Sequence, residues 1–597
     1  MEEAAIYHQP CSMFAYPYDR KTFHLRIRTK KGDIRSVVCF FGDPYENHKN
    51  ENGRIVPALN QKDMRLTAQT ELHDYWFTEV ALPFYRLHYA FVLTSVQDET
   101  IFYGDRGMMQ DSALSFSFSE NFFKYPYIHE NDCFKAPDWV KKTVWYQIFP
   151  ERFANGNPAI SPVQTLPWGS KDPGRDDFFG GDLQGIIDHL DYLQNLGING
   201  IYLTPIFTAP TNHKYDTLDY FSVDPHFGDK EVLRTLIKQA HKRSIRVMLD
   251  AVFNHIGSTS MQWQDVIRHG ENSRYKDWFY IRSFPVQEGE NGNIEGQTTL
   301  SYDTFAFTPK MPKLNTENQE VRDYLLRIAL YWIKEFDIDG WRLDVANEVD
   351  GQFWRAFHQA VIGEKSDCYI VGEIWHNAWN WLQGDMFHSV MNYPLSQTII
   401  DYFIENKLKA TQAVSAINAH YMNYQAQVSE VAFNLLDSHD TARILTKARG
   451  DKQKVRLALA FLFSQTGSPC IYYGTEVGMD GANDPLCRKC MIWDKEKQDL
   501  EMMAFVKKII RLRKDNQPVL TYGRLDWLIV DNAKDLLCFR RVYQDRTLYF
   551  FFNHGNNDQT LSLDESNVLL FDLWNDYRVD GTNLFVPCQQ FRIFAEA

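Results

Sequence analysis

A chain of 597 residues exceeds one hydrophobic core and predicts three or four packed units, and its 44% hydrophobic residues, with Gly and Pro scattered throughout, exclude a disordered or fibrous protein. A net charge of -14 argues against a nucleic-acid partner, because such binding draws most of its affinity from Lys and Arg meeting phosphates. The acidic start at Met1-Glu2-Glu3, the lack of any apolar run near the roughly 20 residues of a membrane span, and nine scattered cysteines predict a reduced, cytoplasmic protein without membrane contact.

From residue 1 to about 125, short alternating segments such as Phe23-His24-Leu25-Arg26-Ile27-Arg28 predict a β-sandwich. From 126 to 514 the rhythm changes to short apolar strands alternating with longer amphipathic helices, for example 229–242 and 318–335. Eight candidate strands begin at Val144, Gly200, Arg246, Gly340, Tyr369, Val390, Phe433 and Cys470, enough for one closed (β/α)8 barrel of the α/β class. The stretch from about 255 to 338 is too long for one helix and predicts an inserted subdomain. Alternation returns from 515 to 597, in segments such as Leu548-Tyr549-Phe550-Phe551-Phe552, and predicts a second sandwich.

Such a barrel builds its active site at the C-terminal ends of its strands. The third candidate strand runs into Asp250-Ala251-Val252-Phe253-Asn254-His255, which taken alone reads as a cap or a satisfied hydrogen bonder. The fourth ends Arg342-Leu343-Asp344, and period-two geometry puts the cation and the carboxylate on one face, where Arg342 is expected to keep Asp344 ionised for nucleophilic work. The fifth ends Glu373-Ile374-Trp375, an acid in apolar surroundings suited to proton donation. The seventh adds Asp437, His439 and Asp440. Acids repeated at successive strand ends repel one another, so the set is more specific than any member. The 15% share of aromatic residues also suits rings stacking on sugars.

The blocks DAVFNH (250–255), GWRLDVANEV (340–349), VGEIWH (371–376) and LLDSHD (435–440) resemble those of glycoside hydrolase family thirteen, the α-amylase family. A fifth block, Met311-Pro312-Lys313-Leu314-Asn315, is similar to that of its neopullulanase, cyclomaltodextrinase and maltogenic amylase group. The resemblance implies a TIM barrel flanked by an N-terminal starch-binding-like sandwich and a C-terminal one, and retaining hydrolysis with transglycosylation of α-1,4 and some α-1,6 bonds in cyclodextrins, maltodextrins, pullulan and, more slowly, starch. It implies Asp344 as nucleophile, Glu373 as acid/base and Asp440 as the third carboxylate. His255, Arg342, His439 and Tyr215 would bind the sugar being cleaved, Asp484 and Arg488 sugars further along the non-reducing side, and Trp375 the leaving-group side. It also implies a homodimer in which the N-terminal sandwich roofs the partner's site. The alternatives are an oligosaccharide α-glucosidase of the same family and a non-catalytic glucan-binding barrel.

The group often binds calcium after strand one. Here Asn155, Asn157, Gly180 and Asp182 remain as oxygen ligands, but Ile160 stands where a ligand is expected and the first loop has no carboxylate. Calcium favours six to eight oxygens, several of them charged, so binding is expected to be weak or absent and no cofactor is required.

Overall fold

The computed structural model of the chain describes all residues except 50, 52, 82, 287–299, 564–568 and 597. It divides into two compact units, one of residues 1–135, 408–429 and 526–535, the other of residues 136–407, 430–525 and 536–597.

The first unit is built on an antiparallel sheet in the spatial order Ala15–Pro17, Thr22–Lys30, His73–Ala81, Asn60–Gln69, Ile34–Gly42, Leu87–Ser95, Thr100–Gly104 and Gly107–Gln110. Phe23, Leu25 and Ile27 from one side of this path pack with Val37, Tyr89 and Phe91 from the other in one buried cluster, as a sheet folded over itself requires. The alternation in 23–28 predicts a solvated polar face, yet His24 and Arg26 are also buried. The reason is a distant segment: Arg26 Nη1 donates to the Tyr424 carbonyl at 2.7 Å, which covers that face.

The second unit contains the barrel. Its strands are β1 (Trp145–Ile148), β2 (Gly200–Leu203), β3 (Arg246–Ala251), β4 (Gly340–Leu343), β5 (Tyr369–Gly372), β6 (Ser389–Val390), β7 (Phe433–Asn434) and β8 (Ser468–Tyr472). All pair in parallel in the order β6-β5-β4-β3-β2-β1-β8-β7, and a parallel bridge between Met391 and Phe433 closes the ring. Both faces of these strands are covered, which is why they read as near-continuous apolar runs. The strands are short, β4 ending at Leu343 one residue before Asp344, because there the chain turns into the loops that carry the site. The expected helices are α1 (Lys230–Lys242), capped by the Asp229 carboxylate on the Glu231 and Val232 amides, and α2 (Gln319–Phe336), capped by Asn318.

Between β3 and α2 the described part of the insertion is a short helix, Met261–His269, followed by isolated bridges, among them His255 with Lys313. Residues 287–299 of the predicted subdomain lie outside the described residues. Towards the C-terminus, Leu536–Tyr543, Arg546–Asn553, Gln590–Glu596, Leu569–Asp572 and Tyr577–Asp580 form a second antiparallel sheet in that order. Among the described residues no helix is long and apolar enough to cross a membrane.

Candidate active site

The register of β3 on β4 sets Asp250 beside Arg342, and that pairing organises the site. Arg342 is 1% exposed and serves three carboxyls at once. Its Nη1 donates to both Asp250 oxygens at 3.0 and 3.1 Å and to Asp344 Oδ1 at 2.7 Å, while Nη2 lies 2.9 Å from Glu373 Oε2. Asp250 also accepts from the hydroxyls of Tyr202 at 2.6 Å and Tyr215 at 3.0 Å. It is the anchor of the cation rather than a cap.

Asp344 stands one residue past β4, and the next residue, Val345, has φ +46°. A β-branched side chain is rarely found in this left-handed region, so the surrounding structure must hold it there. The effect is to aim the Val345 amide at Glu373 Oε2, 3.0 Å away. The other Glu373 oxygen accepts from the Trp375 indole at 3.2 Å, and that half-exposed ring lies flat on Tyr393, centroids 3.7 Å apart. Glu373 is therefore held by two hydrogen bonds and one ion pair.

Three carboxyls around one guanidinium cannot all ionise cheaply in a buried site. Arg342 pulls the Asp344 carboxyl down, as the sequence suggests, but burial outweighs it and Glu373 and Asp250 add repulsion, so the Asp344 pKa lies well above the usual range. Burial likewise pushes Asp250 up to about 6 against the pull of Arg342. At both Asp344 and Asp250, then, burial works against the attraction of the one guanidinium they share.

A further run of hydrogen bonds leads to Asp440. The Gln147 amide donates to His439 Nδ1 at 2.6 Å, which leaves the Nε2 proton for Asp440 Oδ2 at 3.1 Å and the Tyr215 hydroxyl at 2.5 Å. Burial first, then Arg488 and Arg342, hold the His439 pKa well below its usual value, so this imidazole is neutral. Tyr215 stacks on His439 with rings 4° from parallel. Arg488 Nη2 approaches Asp440 at 3.3 Å and Nη1 approaches Asp484 at 2.9 Å, so one cation joins this pair of carboxylates. His255 is buried against Phe305, and burial lowers its pKa to about 3.

The chain thus brings Tyr215, Asp250, Arg342, Asp344, Glu373, Trp375, His439 and Asp440 into one bonded cluster, with Asp484 and Arg488 at its edge. Residues 147–520 match the alpha amylase catalytic domain and residues 1–129 the alpha amylase N-terminal ig-like domain. The chain belongs to the alpha-amylase family. As a member it is a glycoside hydrolase. It is 57% identical over 580 residues to the intracellular maltogenic amylase of Bacillus subtilis, covering 96% of each chain. It is 52% identical over 556 residues to a cyclomaltodextrinase of Geobacillus thermopakistaniensis, covering 93% of this chain and 92% of that one. A solved cyclomaltodextrinase structure superposes with a TM-score of 0.91 at 44% identity over the whole of both chains.

The four calcium candidates of this alpha-amylase family member have other work. Asp182 caps a helix: its Oδ1 accepts from the Gly185 amide at 2.7 Å and the Gly156 amide at 3.1 Å, and its Oδ2 from the Asn157 amide at 2.7 Å. Asn157 Oδ1 accepts from the Ala159 amide at 3.3 Å, and the Gly180 amide donates to Glu151 Oε1 at 2.7 Å. Asn155 donates to Ser161 Oγ at 3.2 Å, and its buried side-chain oxygen has no hydrogen bond. One spent carboxylate and one open amide oxygen do not fit calcium.

Proposed function

We propose that the enzyme hydrolyses α-1,4 and some α-1,6 glucosidic bonds in cyclodextrins, maltodextrins and pullulan, and starch more slowly, with retention of configuration and transfer to sugar acceptors. The observation that carries this reading is Arg342 hydrogen-bonded to Asp344 through one arm and ion-paired with Glu373 through the other. Two carboxyls held by one guanidinium come within range of the separation of about 5 Å that a covalent, retaining route needs. The relatives named cyclomaltodextrinase and maltogenic amylase support the substrate class.

In the first step an Asp344 oxygen attacks the anomeric carbon, the bond to the leaving oxygen breaks, and Glu373 gives that oxygen its proton. The Asp344 carboxyl becomes an ester and its charge leaves the cluster. In the second step Glu373 takes a proton from water, or from a sugar hydroxyl in transfer, and the new oxygen displaces Asp344. The Val345 amide and the Trp375 indole stabilise Glu373 when it is ionised between the two steps. Asp440, held by His439 and Arg488, accepts hydrogen bonds from hydroxyls of the same sugar and stabilises its distorted form. His255 and Tyr215 complete that sugar's contacts, and Trp375 offers a flat face to the departing one. Asp484 and Arg488 serve the next sugar on the non-reducing side. No calcium is needed at any step.

The enzyme acts in the cytoplasm as a homodimer. Tyr45, Leu114 and Phe118, at 50% exposure or more on the first unit, support a covered surface there. The test is cyclodextrin hydrolysis followed by NMR, with light scattering on the same sample. The expectation is ring opening with the α-anomer formed first and a mass of two chains; a β-anomer, or an untouched ring, overturns the reading.

A further inference from the structure

The second unit has a cavity of 460 Å³ that the chemistry above does not use, between α3 (Lys452–Ser464), α4 (Leu500–Asp515) and the C-terminal sheet. Helical spacing puts Ala504, Phe505 and Lys508 of α4 on its wall, and Arg456 faces them from α3. The opposite wall is Trp574 and Asn575, in a loop fixed by the buried Asp572 carboxylate, which accepts from both of their amides at 2.8 Å. Gln590 and Arg592 complete it from the last strand. None of these residues contacts the carboxylate cluster.

We propose that this cavity is a second binding site for a neutral malto-oligosaccharide; the ligand class rests on the glucan reading given above. Its size falls in the range of about 300–1,000 Å³ typical of small-molecule sites. Three rings form the apolar part: the centroids of Trp574 and Phe591 lie 4.8 Å apart and those of Phe505 and Trp574 5.4 Å apart, a surface suited to the C–H faces of a pyranose. Around it stand planar amides and guanidiniums, the groups that match sugar hydroxyls.

Charge decides between a neutral and an anionic ligand. Three cations line the cavity, but each is already engaged. Arg456 is paired with Glu501 at 3.2 Å, the Lys508 amine donates to the Trp574 carbonyl, and Arg592 donates to Gln590 Oε1 at 3.2 Å with Asp572 3.9 Å from its Nε. A phosphate would have to break these pairs. The buried Nε of Arg456 has no hydrogen-bond partner, and an N–H group of that kind is matched by a neutral hydroxyl acceptor rather than by a second full charge beside Glu501.

The test is isothermal titration of maltoheptaose into Asp344→Asn, which binds without turnover. Two classes of site are expected, the weaker being the cavity. Adding Trp574→Ala should weaken only that class, by about tenfold. Ala504→Trp, at an exposed helix position on the cavity wall, should abolish it by filling the space, which guards against misfolding of the first variant. Both changes in the otherwise wild-type enzyme should leave cyclodextrin kcat within about twofold, since sites this separate act independently. A single class of site unmoved by either change overturns the proposal, and displacement of the weak class by glucose 6-phosphate or inorganic phosphate overturns the ligand class. If wild type opens cyclodextrin while titration finds one site, this inference alone fails; if cyclodextrin stays intact, the glucan reading fails first.

Discussion

Two buried acidic places lie in the loops that follow the barrel strands, and they have opposite fates. Asp182 has its oxygens filled by backbone amides of the chain it caps, which oppose the burial that raises its pKa, and no other carboxyl shares those donors. Asp344 shares one guanidinium with Asp250 and Glu373, and burial leaves the trio short of positive charge. The difference teaches where reactivity resides. A carboxylate whose lone pairs are taken by rigid amides is scaffold, whereas one whose charge is only partly compensated has free energy to release when it becomes an ester.

The sharpest way to break this contrast is Asp344→Asn. Activity is expected to fall below roughly a thousandth of wild type while the melting temperature hardly moves or rises, because the covalent step is lost and one source of repulsion goes with it. Glu373→Gln should be nearly as severe on maltotriose, but an activated aryl glycoside should retain much of its first-step rate, since its leaving group needs no proton. Equal first-step losses on the two substrates would assign the proton to another residue.

Asp250→Asn probes the charge argument itself. A nucleophile with a raised pKa stays protonated to higher pH, so the acid limb of kcat/KM should sit above the usual carboxylate range. Removing the Asp250 charge takes away one repulsion and frees Arg342 for Asp344, so the limb should move to lower pH even as the rate drops. A limb that stays put or moves up would show that Asp250 does not set the charge balance.

On the scaffold side, Asp182→Ala should cost about 2 kcal/mol of stability by stranding buried amides, read as a lower melting temperature with unchanged kcat in the surviving fold. The smallest effect expected is that of a chelator: the melting temperature should shift by no more than about 1 °C. A fall of many degrees would mean that the loop at Asn155 is a metal site after all.

Much of this was legible in the residues. The eight strands and the order of the four blocks place Asp344, Glu373 and Asp440 beyond the ends of β4, β5 and β7 at one mouth of the barrel, because strand periodicity and barrel topology are local or general. What was not legible is partnership across the ring. Gln147 meets His439 over 292 residues and Tyr202 meets Asp250 over 48, and one sequence carries no record of such pairs. A signal was present at Gln147, the lone polar residue in Trp145-Tyr146-Gln147-Ile148 of a strand buried on both faces. Asp182 carried another, since an Asp preceding Leu183-Gln184-Gly185 is a helix cap before it is a ligand. The pull of burial on Asp344 needed the three-dimensional count of neighbours.

The seam of the barrel has a consequence for its motions. Where β6 meets β7 two dipeptide strands replace a ladder, and side chains stitch the gap: Ser389 Oγ accepts from the Phe433 amide at 2.9 Å and Asn392 Nδ2 donates to Asn434 Oδ1 at 2.7 Å. A ring held by stitches opens there first. In native-state hydrogen exchange the amides of Met391 and Phe433 should lose protection before those of β3 and β4, so that any breathing of the catalytic barrel begins between the strands next to Glu373 and Asp440 and reaches the nucleophile's strand later.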